Sequence, residues 1–131
     1  MNIILKLMII ISMGFTFISC ESDEKEVLYD SPFYAKIDKR YHISDEYSFI
    51  IKDINDSRCP EGALCIWQGM ATIYIEFNLG HRIDTSLNTM DNGKCVLEFY
   101  SISLGEISPY PHIDSIPEKE DYRIELFVEH I

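Results

Sequence analysis

Apolar and polar residues alternate along several segments of the chain, and this pattern restricts the fold more than any other feature. In residues 71–79 every second side chain is apolar, which places the apolar set on one face of an extended strand. Residues 122–128 repeat the pattern near the C-terminus. After residue 27 no window of about 11 residues carries the apolar period of about 3.6 typical of an amphipathic helix. The chain is therefore predicted to be all-β.

Two other segments have the composition of strands. Residues 47–54 place Phe49 and Ile51 on one face. Residues 95–104 form a fourth predicted strand, but its apolar residues change parity halfway, which a bulge near residues 100–101 would explain. Weaker strand candidates are residues 33–37 and 82–87.

Turn residues separate these segments. Residues 78–81 are predicted to close a hairpin, and Asn92-Gly93 favours a type I′ turn because both residues accept positive φ. Three prolines predict a loop or an irregular edge crossing over residues 108–120. Six to eight short strands predict an antiparallel β-sandwich of the immunoglobulin-like kind, with a small β-barrel as the alternative.

The N-terminus resembles a bacterial lipoprotein signal. Lys6 is the only charged residue before Cys20, and residues 7–18 are mostly apolar but too few for a span of about 20 residues. The run ends in Ser19-Cys20, which is similar to a lipobox and implies cleavage before Cys20 and lipidation of its thiol. The alternative is an ordinary secretory signal. The predicted organisation is a signal peptide at 1–19, a lipidated acidic tether at 20–28 and one domain at 29–131.

Charge and composition exclude several classes of protein. The formal net charge is −11, so a nucleic-acid reader, which needs an excess of Lys and Arg, is not expected. A hydrophobic content of 47% is enough to fill a core and argues against disorder. No nucleophile elbow, metalloprotease helix or phosphate-binding glycine loop is present, and the four histidines are scattered. The chain is therefore predicted to be no enzyme, with no catalytic residues, no metal and no cofactor.

The most distinctive segment is 56–69, which contains two nearby cysteines. An exported chain meets an oxidising compartment, where Cys59 and Cys65 are expected to form a disulfide. The ring is small, so it fixes the shape of the loop more than it stabilises the domain. A zinc site needs about four ligands, and this segment offers only two thiolates.

The segment reads D-S-R-C-P at 56–60 and C-I-W-Q-G at 65–69, and these two motifs resemble those of a group of small bacterial secreted proteins and lipoproteins of the Bacteroidota type. Their shared element reads D-S-R-C-P, then a few residues, then C-x-W-x-G before a strand. The S-P-Y-P segment at 108–111 and the Asp121-Tyr122 pair are also similar. The resemblance implies a β-rich domain and no particular activity. The matching residues are Asp56, Ser57, Arg58, Cys59, Pro60, Cys65, Trp67 and Gly69.

Each residue of the possible binding loop, Arg58, Trp67 and Gln68, also has a structural interpretation. Trp67 is expected to pack in the core beside the disulfide, the alternative being an exposed binding anchor. Arg58 is expected to pair with a carboxylate of its own domain, the alternative being an anionic ligand. Cys95 is expected to be a buried free thiol, although pairing with Cys59 or Cys65 stays open.

The predicted function is that of a lipid-anchored, non-catalytic binding or accessory module of the bacterial cell envelope. The protein is expected to be an outer-membrane lipoprotein that faces either the periplasm or the cell surface. The expected partners are the membrane, through the lipid on Cys20, and an envelope protein; no sequence feature specifies its identity or an oligomeric state. The alternative function is an inhibitor of a secreted protease or lysozyme that acts through the loop from Cys59 to Gly69.

Overall fold

The protein is described by a computed structural model for residues 25–27 and 29–131. This part of the chain forms nine strands and one short 3-10 helix at Lys119–Asp121. The strands are β1 (Lys25–Glu26), β2 (Pro32–Ala35), β3 (Arg40–His42), β4 (Ser48–Asp56), β5 (Ala71–Asn78), β6 (Arg82–Asn88), β7 (Lys94–Val96), β8 (Tyr100–Ser108) and β9 (Arg123–His130).

The strands form two sheets that pack face to face. The first sheet has the order β1-β3-β4-β5-β6 and the second has the order β2-β9-β8-β7. All strand pairs are antiparallel except β1 with β3. Each sheet is mainly a meander of consecutive strands, and β2 crosses over to the edge of the second sheet beside β9. The predicted β-sandwich is confirmed, and the sheets do not close into a barrel.

The core lies between the sheets and follows the alternation of the sequence. On β5 the four apolar residues from Ala71 to Phe77 are at most 2% exposed, whereas Tyr74 between them is 44% exposed. On β4 the register shifts between Ile51 and Asp53, so that Ile51 and Ile54 both face inward. The predicted strands at 71–79 and 47–54 are therefore confirmed. On β9 the buried residues are Ile124, Leu126 and Val128.

Aromatic rings fill the space between the two sheets near β3 and β4. Phe49 is fully buried, and its ring centroid lies 5.4 Å from that of Tyr41 and 5.8 Å from that of Phe77. Phe33, on the facing sheet, lies 6.4 Å from Phe49. Because such rings bury large apolar areas, this cluster is expected to contribute much of the stability.

The predicted single strand over residues 95–104 is wrong. These residues form a hairpin in which β7 pairs with β8, and Cys95 faces Ile102 across the pair. The amide of Leu97 donates to the carbonyl of Tyr100 at 2.7 Å and closes the turn. The change of parity therefore marks a reversal of the chain. A register shift does occur in β8, but it lies further on, between Leu104 and Ile107.

Of the two predicted turns, one closes a hairpin and the other does not. Residues 78–81 join β5 to β6, with Gly80 at a φ of 82°. Residues 91–94 instead connect β6 of the first sheet to β7 of the second, and Gly93 has no positive φ. The side chain of Asn88 organises this crossing by accepting hydrogen bonds from the amides of residues 90, 91 and 92. An Asx-type turn thus replaces the expected type I′ turn.

The N-terminal tether overlaps the folded domain. Strand β1 lies inside the predicted tether of residues 20–28, and it pairs with β3. Val27 is only 7% exposed and belongs to the core. Cys20, the predicted lipidation site, and the signal at 1–19 lie outside the described residues.

Candidate functional site

The segment singled out in the sequence forms a loop that extends the β4–β5 hairpin. Beyond the last strand pair, the amide of Ser57 donates to the carbonyl of Met70 at 2.9 Å. Further out, the amide of Cys59 donates to the carbonyl of Gln68 at 2.7 Å. These two hydrogen bonds bring the chain ends of the loop together before the disulfide is reached.

Gly69 makes this narrow base possible. Its φ is +69°, and a Cβ at this position would lie 1.8 Å from the carbonyl oxygen of Ser57. No other residue type fits without a shift of the backbone, because the opposite strand is too close. The glycine of the C-x-W-x-G element is therefore required by the approach of two backbones.

The predicted disulfide between Cys59 and Cys65 is confirmed, with the two Cα atoms 6.0 Å apart. Closing so short a ring stabilises the fold by only about 2 kcal/mol in the chain-entropy model. Its main consequence is local, because it restricts the conformations available to the residues between and beside the two cysteines.

One side of the loop docks on the segment that follows β8. The amide of Glu61 donates to the carbonyl of Pro111 at 2.9 Å, and the amide of Ile113 donates to the carbonyl of Glu61 at 3.0 Å. These bonds form a parallel bridge between Glu61 and His112. Residues 59–63 are therefore held against the domain, and residues 64–68 are left as an outward tip.

A buried ion pair lies at the foot of the loop. The guanidinium of Arg58 donates from Nε to Asp56 Oδ1 at 2.8 Å and from Nη2 to Asp56 Oδ2 at 2.6 Å. The two side chains are only 9% and 6% exposed. Two parallel bonds between a guanidinium and a carboxylate are among the strongest polar contacts in proteins. Residues 56–58 therefore have a rigid local shape.

The same pair ties the first sheet to the second. Arg58 donates from Nη1 to the carbonyl of Ile107 at 2.8 Å, near the end of β8, and from Nη2 to the carbonyl of Pro109 at 3.2 Å. Its guanidinium also lies 4.5 Å from the ring centre of Tyr110. Because all three guanidinium nitrogens donate to acceptors of the domain, Arg58 is a structural residue of the foot and is not placed to hold a ligand.

Tyr122 completes the cluster, since its hydroxyl donates to Asp56 Oδ2 at 3.0 Å. Burial acts to raise the pKa of Asp56, but the hydrogen bonds from Arg58 and Tyr122 outweigh it and hold that pKa below 3.8. Burial and the bond to the Asp56 carboxylate raise the pKa of Tyr122 to about 12. Asp56 is therefore charged and Tyr122 neutral at neutral pH. The expectation that Arg58 pairs with a carboxylate of its own domain is confirmed.

The prediction that Trp67 packs in the core is wrong, because its side chain is 58% exposed. The strand alternation that would have pointed it inward begins only at Ala71, beyond the positive φ of Gly69. At the foot of the loop the buried positions are taken by Asp56, Arg58 and Tyr122. Trp67 therefore lies on the outward tip, with Gln68 exposed beside it.

Leu64 and Ile66 share this exposure, and the sequence analysis had not singled them out. Their side chains are 105% and 109% exposed, as open as in an extended chain. A usable signal was present in the sequence, since residues 62–70 contain no charged residue in a chain that is 25% charged. We call the exposed residues Leu64, Ile66, Trp67 and Gln68 the apolar tip.

Other candidate chemistry is sparse in the part of the chain that is described. Cys95 is a free, half-buried thiol, and burial raises its pKa, which lowers its reactivity as a thiolate. Among residues 25–27 and 29–131 no group of three or more His, Cys, Asp and Glu side chains could hold a metal ion. Within the same residues no helix has the length and apolar character needed to cross a membrane.

Comparisons with family models, with curated proteins and with solved structures find no match for this chain.

Replacing Arg58 by alanine is expected to destabilise the domain strongly. The change leaves the carboxylate of Asp56 buried without its partner, a loss of about 3–5 kcal/mol in the free energy of unfolding. Arg82→Ala is the matched control, because Arg82 pairs with Glu76 and Asp84 on the surface, where such pairs contribute little. Urea unfolding at neutral pH measures both variants, and equal losses would contradict the structural role of Arg58.

The pH dependence gives a second readout of the same contact. The pKa of Asp56 is lowered by folding, so its contribution to stability is present above pH 3.8 and is lost as the pH falls further. Wild-type stability is expected to decline in that range more steeply than that of Arg58→Ala.

Trp67→Ala is expected to leave the melting temperature nearly unchanged, because truncating an exposed side chain removes little buried area. Phe77→Ala is the matched control, since Phe77 is fully buried and its truncation should cost about 3–5 kcal/mol. Thermal melts of both variants measure the difference. A large loss for Trp67→Ala would return Trp67 to the core and remove it from the tip.

Proposed function

We propose that the protein is a lipid-anchored, non-catalytic binding module of the bacterial cell envelope that contacts a protein partner through its apolar tip. The observation that carries this proposal is that Leu64 and Ile66 are completely exposed and Trp67 is more than half exposed on one disulfide-held loop. Large apolar side chains gathered on a rigid projection are typical of interaction sites.

The energetics of the tip suit binding. Burying a side chain such as leucine or isoleucine against a partner contributes about 1.5–3 kcal/mol, and tryptophan is enriched among the residues that dominate interfaces. The disulfide and the Arg58 contacts fix the loop in the free protein. Less conformational entropy is therefore lost on binding than for a flexible loop.

Charge favours a protein partner over a lipid surface. Segments that lie on anionic membranes carry Lys and Arg beside their apolar residues. Residues 62–70 carry none, the nearest charged residue before them is Glu61, and Arg58 is engaged inside the domain. An apolar pocket on a protein is the surface that the tip complements.

A second candidate is an inhibitor of a secreted hydrolase. It is favoured by the shape of the loop, which is closed at its base by backbone bonds, closed again by Cys59–Cys65, and docked along one side at Glu61. Such a rigid projection can enter the cleft of an enzyme at little entropic cost.

Photo-crosslinking in the native envelope tests the proposal. A benzophenone amino acid at position 66 is expected to trap one discrete partner, identifiable by mass spectrometry, and Trp67→Ser should abolish the product. Position 96 is the control, because Val96 is 67% exposed but pairs with Ser101 at the opposite end of β8 from the loop. No product at 66, or the same products at both positions, would refute the proposal. A trapped hydrolase that the wild type inhibits and Trp67→Ser does not would establish the inhibitor.

The anchor has its own test. Cys20→Ala removes the thiol that the lipid modifies, so the variant is expected to leave the detergent-rich phase in which the wild type collects. A variant that still partitions like the wild type would contradict lipidation at Cys20, without bearing on the tip.

A further inference from the structure

A basic cavity of about 410 Å³ lies at the opposite edge of the sandwich from β6 and β7. It opens between the edge strands of the two sheets, where β1 and β3 of the first sheet meet β2 and the start of β9. None of the described residues that line it carries a carboxylate. Its lining residues are Lys25, Tyr34, Lys36, Lys39, Tyr41 and Arg123.

This gathering of positive charge runs against the composition of the chain. The whole sequence has 22 acidic and 11 basic residues, yet the described residues that line this cavity include four basic ones and no acidic one. Like charges repel when they are held close together, which disfavours such a group unless an anion accompanies it.

Most of the described basic side chains outside the cavity are already paired with a carboxylate. Among the described residues, each of four other basic side chains forms an ion pair with a carboxylate, and these are Arg58, Arg82, Lys94 and Lys119. In the same set of residues no ion pair to a carboxylate is formed by Lys25, Lys36 or Arg123. Their charge is therefore available to a bound anion.

Two tyrosines add directional groups to the cavity. Tyr41 is only 2% exposed, and its hydroxyl accepts a hydrogen bond from the amide of Lys36 at 2.8 Å. That bond uses an oxygen lone pair, so the hydroxyl proton can be donated to a guest. The guanidinium of Arg123 lies 4.8 Å from the ring centre of Tyr34, and this stacking leaves its N–H groups able to bind oxygen atoms.

We infer that this cavity binds a phosphate group. Guanidinium, ammonium and phenol donors around one space match the several acceptor oxygens and the concentrated charge of a phosphate. A single carboxylate would leave most of the positive charge of Lys25, Lys36 and Arg123 uncompensated. The cavity and the apolar tip share no residue, so phosphate binding in the cavity does not depend on the tip.

A membrane lipid is one source of that phosphate, and a free phosphate ester is the other. Lys25 lines the cavity and follows Cys20 by five residues. At about 3.6 Å per extended residue, Cys20 lies within roughly 18 Å of Lys25. A lipid on Cys20 would therefore hold the cavity close to the headgroups of the same bilayer.

Binding to the full-length protein in a neutral detergent tests this site. Calorimetry measures the affinity for inorganic phosphate and, separately, for micelles doped with phosphatidylglycerol or with phosphatidylcholine. The double variant Lys36→Gln/Arg123→Gln is expected to weaken binding at least tenfold. Lys52→Gln/Lys94→Gln is the matched control, because it removes the same charge outside the cavity and should change the affinity less than twofold.

The outcomes separate the two sources. Tighter binding to phosphatidylglycerol micelles than to inorganic phosphate identifies a lipid headgroup, and equal binding in all micelles with saturable inorganic phosphate identifies a free ester. No binding by the wild type, or equal weakening by both double variants, would overturn the site. Trp67→Ser should bind phosphate like the wild type, so that failure of the tip and failure of the cavity are told apart.

Discussion

The buried ion pair of Asp56 and Arg58 connects the parts of this domain on which the loop depends. It begins at the end of β4 in the first sheet and reaches the carbonyls of Ile107 and Pro109 beside the second. Two desolvated charges are unfavourable unless all their bonds are made. Here both carboxylate oxygens and three guanidinium nitrogens have partners, and the hydroxyl of Tyr122 adds a further bond to the carboxylate.

The residues that stabilise the sandwich are different from the residues that are exposed on the loop. The aromatic cluster around Phe49 and the alternating strands stabilise the sandwich, whereas the ion pair, Gly69 and the Cys59–Cys65 bridge shape a loop outside it. The ion pair, Gly69 and the disulfide fix the position of the apolar side chains on the tip, and those side chains take no part in these contacts. Such a loop can vary in its tip residues without disturbing the fold, which suits a binding surface.

Charged residues are distributed unevenly over the domain, as exposed apolar residues are. The acidic character of the chain keeps most of the surface negative, and most cations outside the cavity neutralise a neighbouring carboxylate. The cavity between the sheet edges is the exception among the described residues. A positive recess on a mostly negative body attracts an anion, because the field of the rest of the surface repels it.

Local pattern determined much of this protein. Alternation with a period of two specified β5 and β9, and the short spacing of Cys59 and Cys65 specified the disulfide, because each signal involves residues close in sequence. Arg58 was predicted to find a carboxylate for the same reason, since Asp56 is two residues away. The parity change at 95–104 was visible too, but a bulge and a hairpin produce the same pattern, and only pairing with β8 distinguishes them.

Only the tertiary structure decided which side chains are buried and which are exposed to a binding partner. Trp67 is exposed, whereas Arg58 at the foot of the same loop is buried by contacts with Ile107 and Pro109, which are distant from it in sequence. The basic cavity joins side chains from positions 25, 34–41 and 123, which no local window contains. Burial and charge clustering depend on which distant segments meet, so they follow from the packing of the two sheets and not from the pattern of any one strand.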